Sequence, residues 1–272
     1  MIQAENAVTE AGIRQYLRTE TFGRAMEVHG LLDSTNIRAK ALAAAGAPHG
    51  FLVIADEQSA GRGRLGRSFW SPGQTGVYMT LVLRPACPAE QVPMITSLAA
   101  VAAARAVEKL SGADVKIKWV NDLYIGGKKI CGILSEAGFG ADAGKPEYVV
   151  LGIGVNTGKT EFPPELRDIA GSVGNETGTV PDRCRLAAEI CNELEALYGS
   201  LETGAFLEES RRRSNVIGRD VLVIAGGRQY PAHALDIDGQ GRLVVRTEKG
   251  TETLGFGEVS LRMDGGEHHA GL

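Results

Sequence analysis

Apolar and polar positions along the chain repeat with two different periods. In residues 94–110 (MITSLAAVAAARAVEKL), Ile95, Leu98, Ala102 and Ala106 fall on one face at helical spacing, the clearest helix signal in the sequence. Residues 11–27 fit a short amphipathic helix, 36–46 a second stopped by Gly46, and 183–198 a third. Strict alternation marks 115–119 as a strand, with Val115, Ile117 and Trp119 inward and Lys116 and Lys118 outward. Short apolar, β-branched runs predict further strands over 51–55, 77–84 and 147–155. Residues 122–125, the Gly126-Gly127 pair and 128–135 predict a hairpin, because Gly-Gly suits the primed turns. Helices mixed with hairpin-connected strands predict an α+β fold, with helices packed on a mixed, largely antiparallel sheet rather than repeated βαβ units.

The pattern changes after residue 215. Five short strands are predicted in under fifty residues (220–225, 229–237, 242–247, 251–256, 258–262), separated by Gly226-Gly227, residues 238–241 and Lys249-Gly250. Such spacing predicts a small barrel or sandwich. The chain therefore divides into residues 1–214, a β unit over 215–264 and a disordered tail over 265–272. Arg211-Arg212-Arg213 marks the junction and fits a solvated helix end better than a nucleic-acid patch. His268-His269 has no partner ligand nearby in sequence, so a metal site there is not expected.

Composition narrows the function. The 272 residues carry 29 Lys+Arg against 33 Asp+Glu, a net charge of −4, and 43% are hydrophobic, which excludes wholesale disorder. A mildly acidic chain argues against a dedicated nucleic-acid binder. The 32 or so residues before the first motif are too few for a helix-turn-helix module, so no DNA partner is expected. No apolar run approaches the ~20 residues needed to span a bilayer, and MIQAENAVTE is not a signal peptide. Cys87, Cys131, Cys184 and Cys191 form no CxxC pair, which fits a reducing, cytoplasmic setting.

Glycine changes the picture most. The chain has 36, about one residue in eight, clustered at a few places. Gly61-Arg62-Gly63-Arg64-Leu65-Gly66 matches GxGxxG literally, but Phe69-Trp70-Ser71-Pro72-Gly73 cannot start the helix that a dinucleotide site requires. Instead Arg62, Arg64 and Arg67 crowd a flexible backbone that is costly to order. Guanidinium forks suit phosphate and carboxylate oxygens, so the expected loop is mobile when empty and closes over an anionic ligand. In the second cluster, Lys129 either snorkels to solvent or offers its charge to an oxyanion in a glycine-lined cleft. Asp122 is either a turn residue or an acceptor for an amine or Mg²⁺. Cys131 has no recognisable His partner and fits a small core residue better than a nucleophile. Gly152-Ile153-Gly154-Val155-Asn156 is a strand that allows close approach of another group.

Together these motifs resemble the biotin protein ligases, also called biotin–[acetyl-CoA-carboxylase] ligases. Five segments carry the resemblance: Asp33-Ser34-Thr35-Asn36; Gln58-Ser59-Ala60-Gly61-Arg62-Gly63-Arg64-Leu65-Gly66-Arg67; Lys118-Trp119-Val120-Asn121-Asp122; Lys129-Ile130-Cys131-Gly132-Ile133-Leu134-Ser135-Glu136; and Gly152 to Asn156. The resemblance implies a catalytic domain related to class II aminoacyl-tRNA synthetases and lipoate ligases, followed by an SH3-like barrel. It implies the short, enzyme-only kind, without the DNA-binding domain of members that double as repressors.

By that resemblance, Ser34, Thr35, Asn36, Gln58, Arg62, Gly63, Arg64, Lys129 and Gly132 bind biotin. Arg62, Arg64, Arg67, Phe69, Trp70, Asn121, Lys129 and Asn156 bind ATP or the adenylate. Arg64, Lys129 and Asp122 carry the chemistry, with Mg²⁺ near Asp122. The implied reaction activates biotin with ATP as biotinyl-5′-AMP, then transfers it to a lysine of a biotin carboxyl carrier domain. Monomer and homodimer both remain open, as does the nearest alternative, a lipoate or octanoate ligase or transferase on a related fold. Two departures stand out: Val120 occupies the family's usual proline position, which predicts a looser turn. Phe69 precedes Trp70 where the family commonly has Trp first, so either ring could cover the adenine.

Overall fold

The computed structural model describes residues 7–140, 144–225, 228–255 and 260–263. Runs rich in Val, Ile and Leu form the middle of the first sheet as β2 (Phe51–Gln58), β3 (Gly76–Leu83) and β7 (Pro146–Asn156). β1 (Met26–Leu32) lies outside β2, and β6 (Lys128–Phe139), β5 (Asp122–Ile125) and β4 (Lys116–Lys118) continue beyond β7. The order is β1-β2-β3-β7-β6-β5-β4; β1 and β2 run parallel and the other pairings are antiparallel. The fold is α+β, with the sheet mixed through that one parallel pair.

Helices cover both faces of this sheet. α1 (Glu10–Tyr16) packs on α5 (Arg183–Tyr198), and α3 (Val92–Ser111) lies between the sheet and the pair α5 and α6 (Phe206–Arg213). Being sandwiched, α3 is buried nearly all round, not only along Ile95, Leu98, Ala102 and Ala106. Its alanines let both layers approach closely. On the opposite face α2 (Thr35–Ala44) sets Ala39 and Ala43 against Val53, Val82 and Val150. The N-terminus of α2 opens onto the site described below.

The C-terminal strands β8 (Asp220–Ala225), β9 (Arg228–Ile237), β10 (Leu243–Thr247), β11 (Gly250–Leu254) and β12 (Ser260–Met263) form an antiparallel sheet ordered β11-β10-β9-β8-β12. Its Val221, Val223, Ile237, Leu243 and Val245 belong to the same apolar cluster as Ile117 and Trp119, so the core runs unbroken between the two units. The Gly226-Gly227 pair, the tail from residue 264 and His268-His269 lie outside the described residues. Among the described residues, no helix is long and apolar enough to cross a membrane.

The expected helix over 11–27 is corrected. It spans only α1, capped by Thr9, whose side chain accepts the Gly12 N–H. The chain then turns, because the Glu195 carboxylate accepts the backbone N–H groups of Glu20, Thr21 and Phe22. A partner some 170 positions away along the chain overrides the local helical period. The arginine run is also less solvated than expected: Arg212 is exposed, but Arg213 is largely buried between Glu108 and Glu209.

Glu189 fastens three segments. Its carboxylate, 2% exposed, receives Arg18 at 2.7 Å and Lys109 at 2.9 Å. The Arg18 hydrogen bond, opposed by burial and helped by Lys109 and Asn192, holds the Glu189 carboxyl at about 2. A depressed carboxyl stabilises the fold above its ordinary value of 4.5, and that contribution disappears as pH falls toward about 2. Glu189→Gln is therefore expected to lose roughly 3 kcal/mol at pH 7, with the deficit shrinking steadily below pH ~4.5. Urea unfolding across that range is the measurement; a deficit that stays constant with pH contradicts it.

Candidate active site

Paired residues of β3, β7 and β6 make the floor of the site. Tyr78 pairs with Gly154 and Gly154 with Gly132; Thr80 pairs with Gly152 and Gly152 with Leu134. Because side chains alternate along strands, these six residues share the face that α2 covers. Missing side chains at Gly132 and Gly154 leave a trough, and the Phe69 ring lies in it. A Cβ at Gly154 would stand 2.6 Å from that ring, and one at Gly132 would stand 3.1 Å away. Ser34, Thr35, Asn36, Gln58 and Arg62 complete the walls. Burial pushes the Tyr78 phenol up to about 12, so it stays a neutral hydroxyl.

A polar network sets the wall at the start of α2. The Thr35 N–H and hydroxyl both reach Gln58 Oε1, at 2.8 and 3.1 Å, and Gln58 Nε2 donates to Ser71 Oγ. Thr80 Oγ1 lies 2.8 Å from Thr35 Oγ1 and 2.7 Å from Asn36 Oδ1. Asn36 Nδ2 donates to Glu136 Oε2 at 2.9 Å, and Lys40 reaches Glu136 Oε1 at 2.6 Å. Burial alone would raise the Glu136 carboxyl, but the Lys40 and Asn36 hydrogen bonds and the Lys40 and Arg62 charges hold it below its ordinary value. Thr80 and Glu136 are site residues that the motifs did not single out for a role. The signal in the sequence is a threonine inside the apolar run 77–84, which the structure shows to be fully buried.

Cations gather at one end of the trough. Lys129 runs past Gly132, its Cε 3.5 Å from where a Gly132 Cβ would sit, and its Nζ meets Asp122 Oδ1 at 2.7 Å. Arg64 Nη1 donates to Asn121 Oδ1 at 3.0 Å. Burial pulls the Arg64 guanidinium down from its usual value, opposed by Asp122 and reinforced by Arg67. A half-desolvated guanidinium and a lysine that both feel the Asp122 carboxylate are groups suited to an anion. Residues 61–68 form a narrow hairpin: Gly63 N–H donates to Arg67 O, and Phe69 N–H to Gly61 O. At its tip Leu65 sits at φ 58 with its side chain exposed.

Other expected site residues are placed differently. Trp70 packs on Phe162, ring centroids 5.3 Å apart, so Phe69 is the aromatic of the two that faces the trough. The Arg67 side chain is exposed, while its backbone closes the hairpin. Asn156 is buried and donates to Gly171 O, bracing the segment whose Ile169 and Gly171 pair with the Lys129 backbone. Lys128 is not a bare solvated charge: its Nζ donates to the carbonyls of Arg167 at 3.0 Å and Asp168 at 2.7 Å. The turn containing Val120 is not loose, because Asn121 exchanges backbone and side-chain hydrogen bonds with Ile133. Cys131 is fully buried, and burial pushes its thiol up, which suits a core residue rather than a nucleophile. Among the described residues no three His, Cys, Asp or Glu side chains gather as a metal site. Asp122, with one oxygen on Lys129, does not make a protein-held magnesium site by itself.

Fold and site define an α+β protein with a glycine-floored trough under α2 and the cations Arg64 and Lys129 beside it. Comparison with known proteins is specific. Residues 30–156 match the Biotin/lipoate A/B protein ligase family and 216–262 the Biotin protein ligase C terminal domain. The bifunctional ligase/repressor BirA of Bacillus subtilis is 36% identical over 268 residues, covering 96% of this chain and 81% of that protein. The biotin--[acetyl-CoA-carboxylase] ligase of Mycobacterium tuberculosis is 32% identical over 244 residues, covering 87% and 88%. The structure of the Aquifex aeolicus biotin protein ligase with biotin and ATP superposes with a TM-score of 0.76 at 25% identity, covering 89% of this chain and all of that one. The chain belongs to the biotin protein ligase family and is an enzyme of that family.

Proposed function

We propose that this protein joins biotin to ATP, forming biotinyl-5′-AMP and pyrophosphate, and then transfers biotin to a lysine of an acetyl-CoA carboxylase-type carrier domain. The observation that carries this reading is the glycine-floored trough ending in Arg64 and Lys129. The C-terminal match favours biotin over lipoate, since it is to a domain of biotin protein ligases.

In the first step a biotin carboxylate oxygen attacks the α-phosphorus of ATP, and pyrophosphate leaves with its electron pair. Negative charge builds on the phosphate oxygens, where Arg64 and Lys129 stabilise it. Magnesium enters with ATP as part of the substrate, and no protein residue is assigned to it. In the second step the acceptor amine attacks the acyl carbon and AMP leaves. That amine, ordinarily with a pKa near ~10.4, must shed a proton. When Lys129 turns toward the phosphate, Asp122 loses its partner and becomes available to orient the amine or take the proton. The mixed anhydride hydrolyses readily, so a hairpin closing over it keeps water out.

Transfer of labelled biotin to a carrier domain, with and without ATP and with lipoate and octanoate as competitors, tests the reading. ATP-independent transfer, or preference for lipoate, overturns it. The hairpin over 61–68 supplies a second test. Trypsin is expected to cut between Arg62 and Arg67 in the free protein and to be blocked by biotin plus ATP. Equal cleavage in both conditions contradicts closure.

A further inference from the structure

Trp119 belongs to the motif leading into the cationic end of the trough, yet its side chain points away from the ligand. It is 6% exposed, and its indole Nε1 donates at 3.0 Å to the backbone carbonyl of Gly241, in the turn between β9 and β10 of the C-terminal sheet. That turn is firmly braced. Asp238 Oδ1 accepts the N–H groups of Gln240 and Arg242, each at 2.9 Å, and Asp238 Oδ2 accepts Arg242 Nε at 2.8 Å. Gly241 holds φ at 76, a left-handed backbone conformation that glycine adopts freely.

On its other side Trp119 is joined to the site by two peptide units. Asn121, whose Oδ1 receives Arg64, lies within about 7.6 Å of chain from Trp119. The next residue, Asp122, holds Lys129. β4 itself is pinned from the junction, since Asn215 N–H donates to Ile117 O at 3.1 Å. A rigid turn of the C-terminal sheet, one buried hydrogen bond and a two-residue span therefore lead to both phosphate-facing cations. Thr35, Gln58 and Thr80 instead bond to one another, to Asn36 and to Ser71, on the far strands and α2.

We propose that Trp119 is a positioning residue through which the C-terminal sheet sets Arg64 and Lys129, and so governs ATP engagement more strongly than the binding of biotin, which also rests on the Ser34–Asn36 wall and the glycine floor. This rests on the adenylating activity proposed above, which wild-type pyrophosphate exchange dependent on biotin establishes independently. The test uses the full chain. Trp119→Phe keeps the packed ring and removes the N–H; Asp238→Ala loosens the turn while leaving the indole intact.

For both variants the expected result is a rise in KM for ATP of about five- to tenfold, the worth of one buried hydrogen bond. The dissociation constant for biotin alone, by calorimetry, should stay within about twofold of wild type on the same scale. The double variant should be little worse than either single one, because both cut the same link. Equal weakening of biotin and ATP in both variants, as a general loss of stability would give, overturns the proposal. So does an unchanged KM for ATP.

Discussion

Lys129→Ala is expected to slow biotin-dependent pyrophosphate exchange by roughly 10²–10³-fold, the effect of losing one preorganised oxyanion partner. Two lysines follow the Gly126-Gly127 turn, and alternation sends them to opposite faces, while a register shift opposite Leu123 and Tyr124 carries Lys129 onto the face of Gly132. Lys129 runs over Gly132 toward the trough and holds Asp122 at 2.7 Å. Removing it deletes a charge that the proposed mechanism places on the reacting oxygens, and leaves the partly buried Asp122 carboxylate without its partner. Lys128 is the natural comparison, although not a neutral one. Its two carbonyl partners at Arg167 and Asp168 anchor the segment that pairs with the Lys129 backbone. Lys128→Ala should therefore cost about 1 kcal/mol of stability while retaining exchange within a few-fold. Exchange near wild type in Lys129→Ala, or a larger loss in Lys128→Ala, reverses the assignment.

The sequence revealed elements wherever local pattern and tertiary environment agree. α5 was expected at 183–198 and spans Arg183–Tyr198; the hairpin around Gly126-Gly127 forms where the glycines permit positive φ. β1 was missed because it is an edge strand of mixed composition, MEVHGLL, with no residue fully buried and therefore little apolar signal. The five-residue α4 (Val173–Thr177) is too short to leave a period, and α6 shows in the sequence only as the helix end at Arg211–Arg213, because most of its side chains are charged. In the site, the motifs located the residues but not their contacts. Gly152-Ile153-Gly154 suggested close approach by another group, yet only the fold identifies those groups as Asn36 and Phe69. Arg213 reads as solvated in the sequence because a single sequence shows charge but not the carboxylates that fold back onto it.

Gly152→Ala is expected to weaken biotin binding by roughly 100-fold, without adding any atom to the cationic end of the trough. A Cβ at position 152 would stand 2.1 Å from Asn36 Oδ1, closer than any real contact allows. Asn36 cannot simply rotate away. It is 4% exposed, and its amide is held by the Glu136 carboxylate and the Leu134 carbonyl. Displacing it breaks a charge-assisted hydrogen bond and strands Thr80, which in turn supports Thr35 and, through it, Gln58. Overpacking of this kind costs about 1–3 kcal/mol, and the broken network adds to that. Because α2 begins at Thr35, a shift there moves the polar wall of the trough as a unit. A double-mutant cycle separates this route from a direct clash with the ligand. If Asn36 carries the effect, then in an Asn36→Ala background the added Gly152→Ala should cost little further affinity, although Asn36→Ala alone is already weakened. Calorimetry with biotin on the four proteins gives the coupling. Additive losses, or wild-type affinity in Gly152→Ala, would show that the Asn36 network does not shape the pocket.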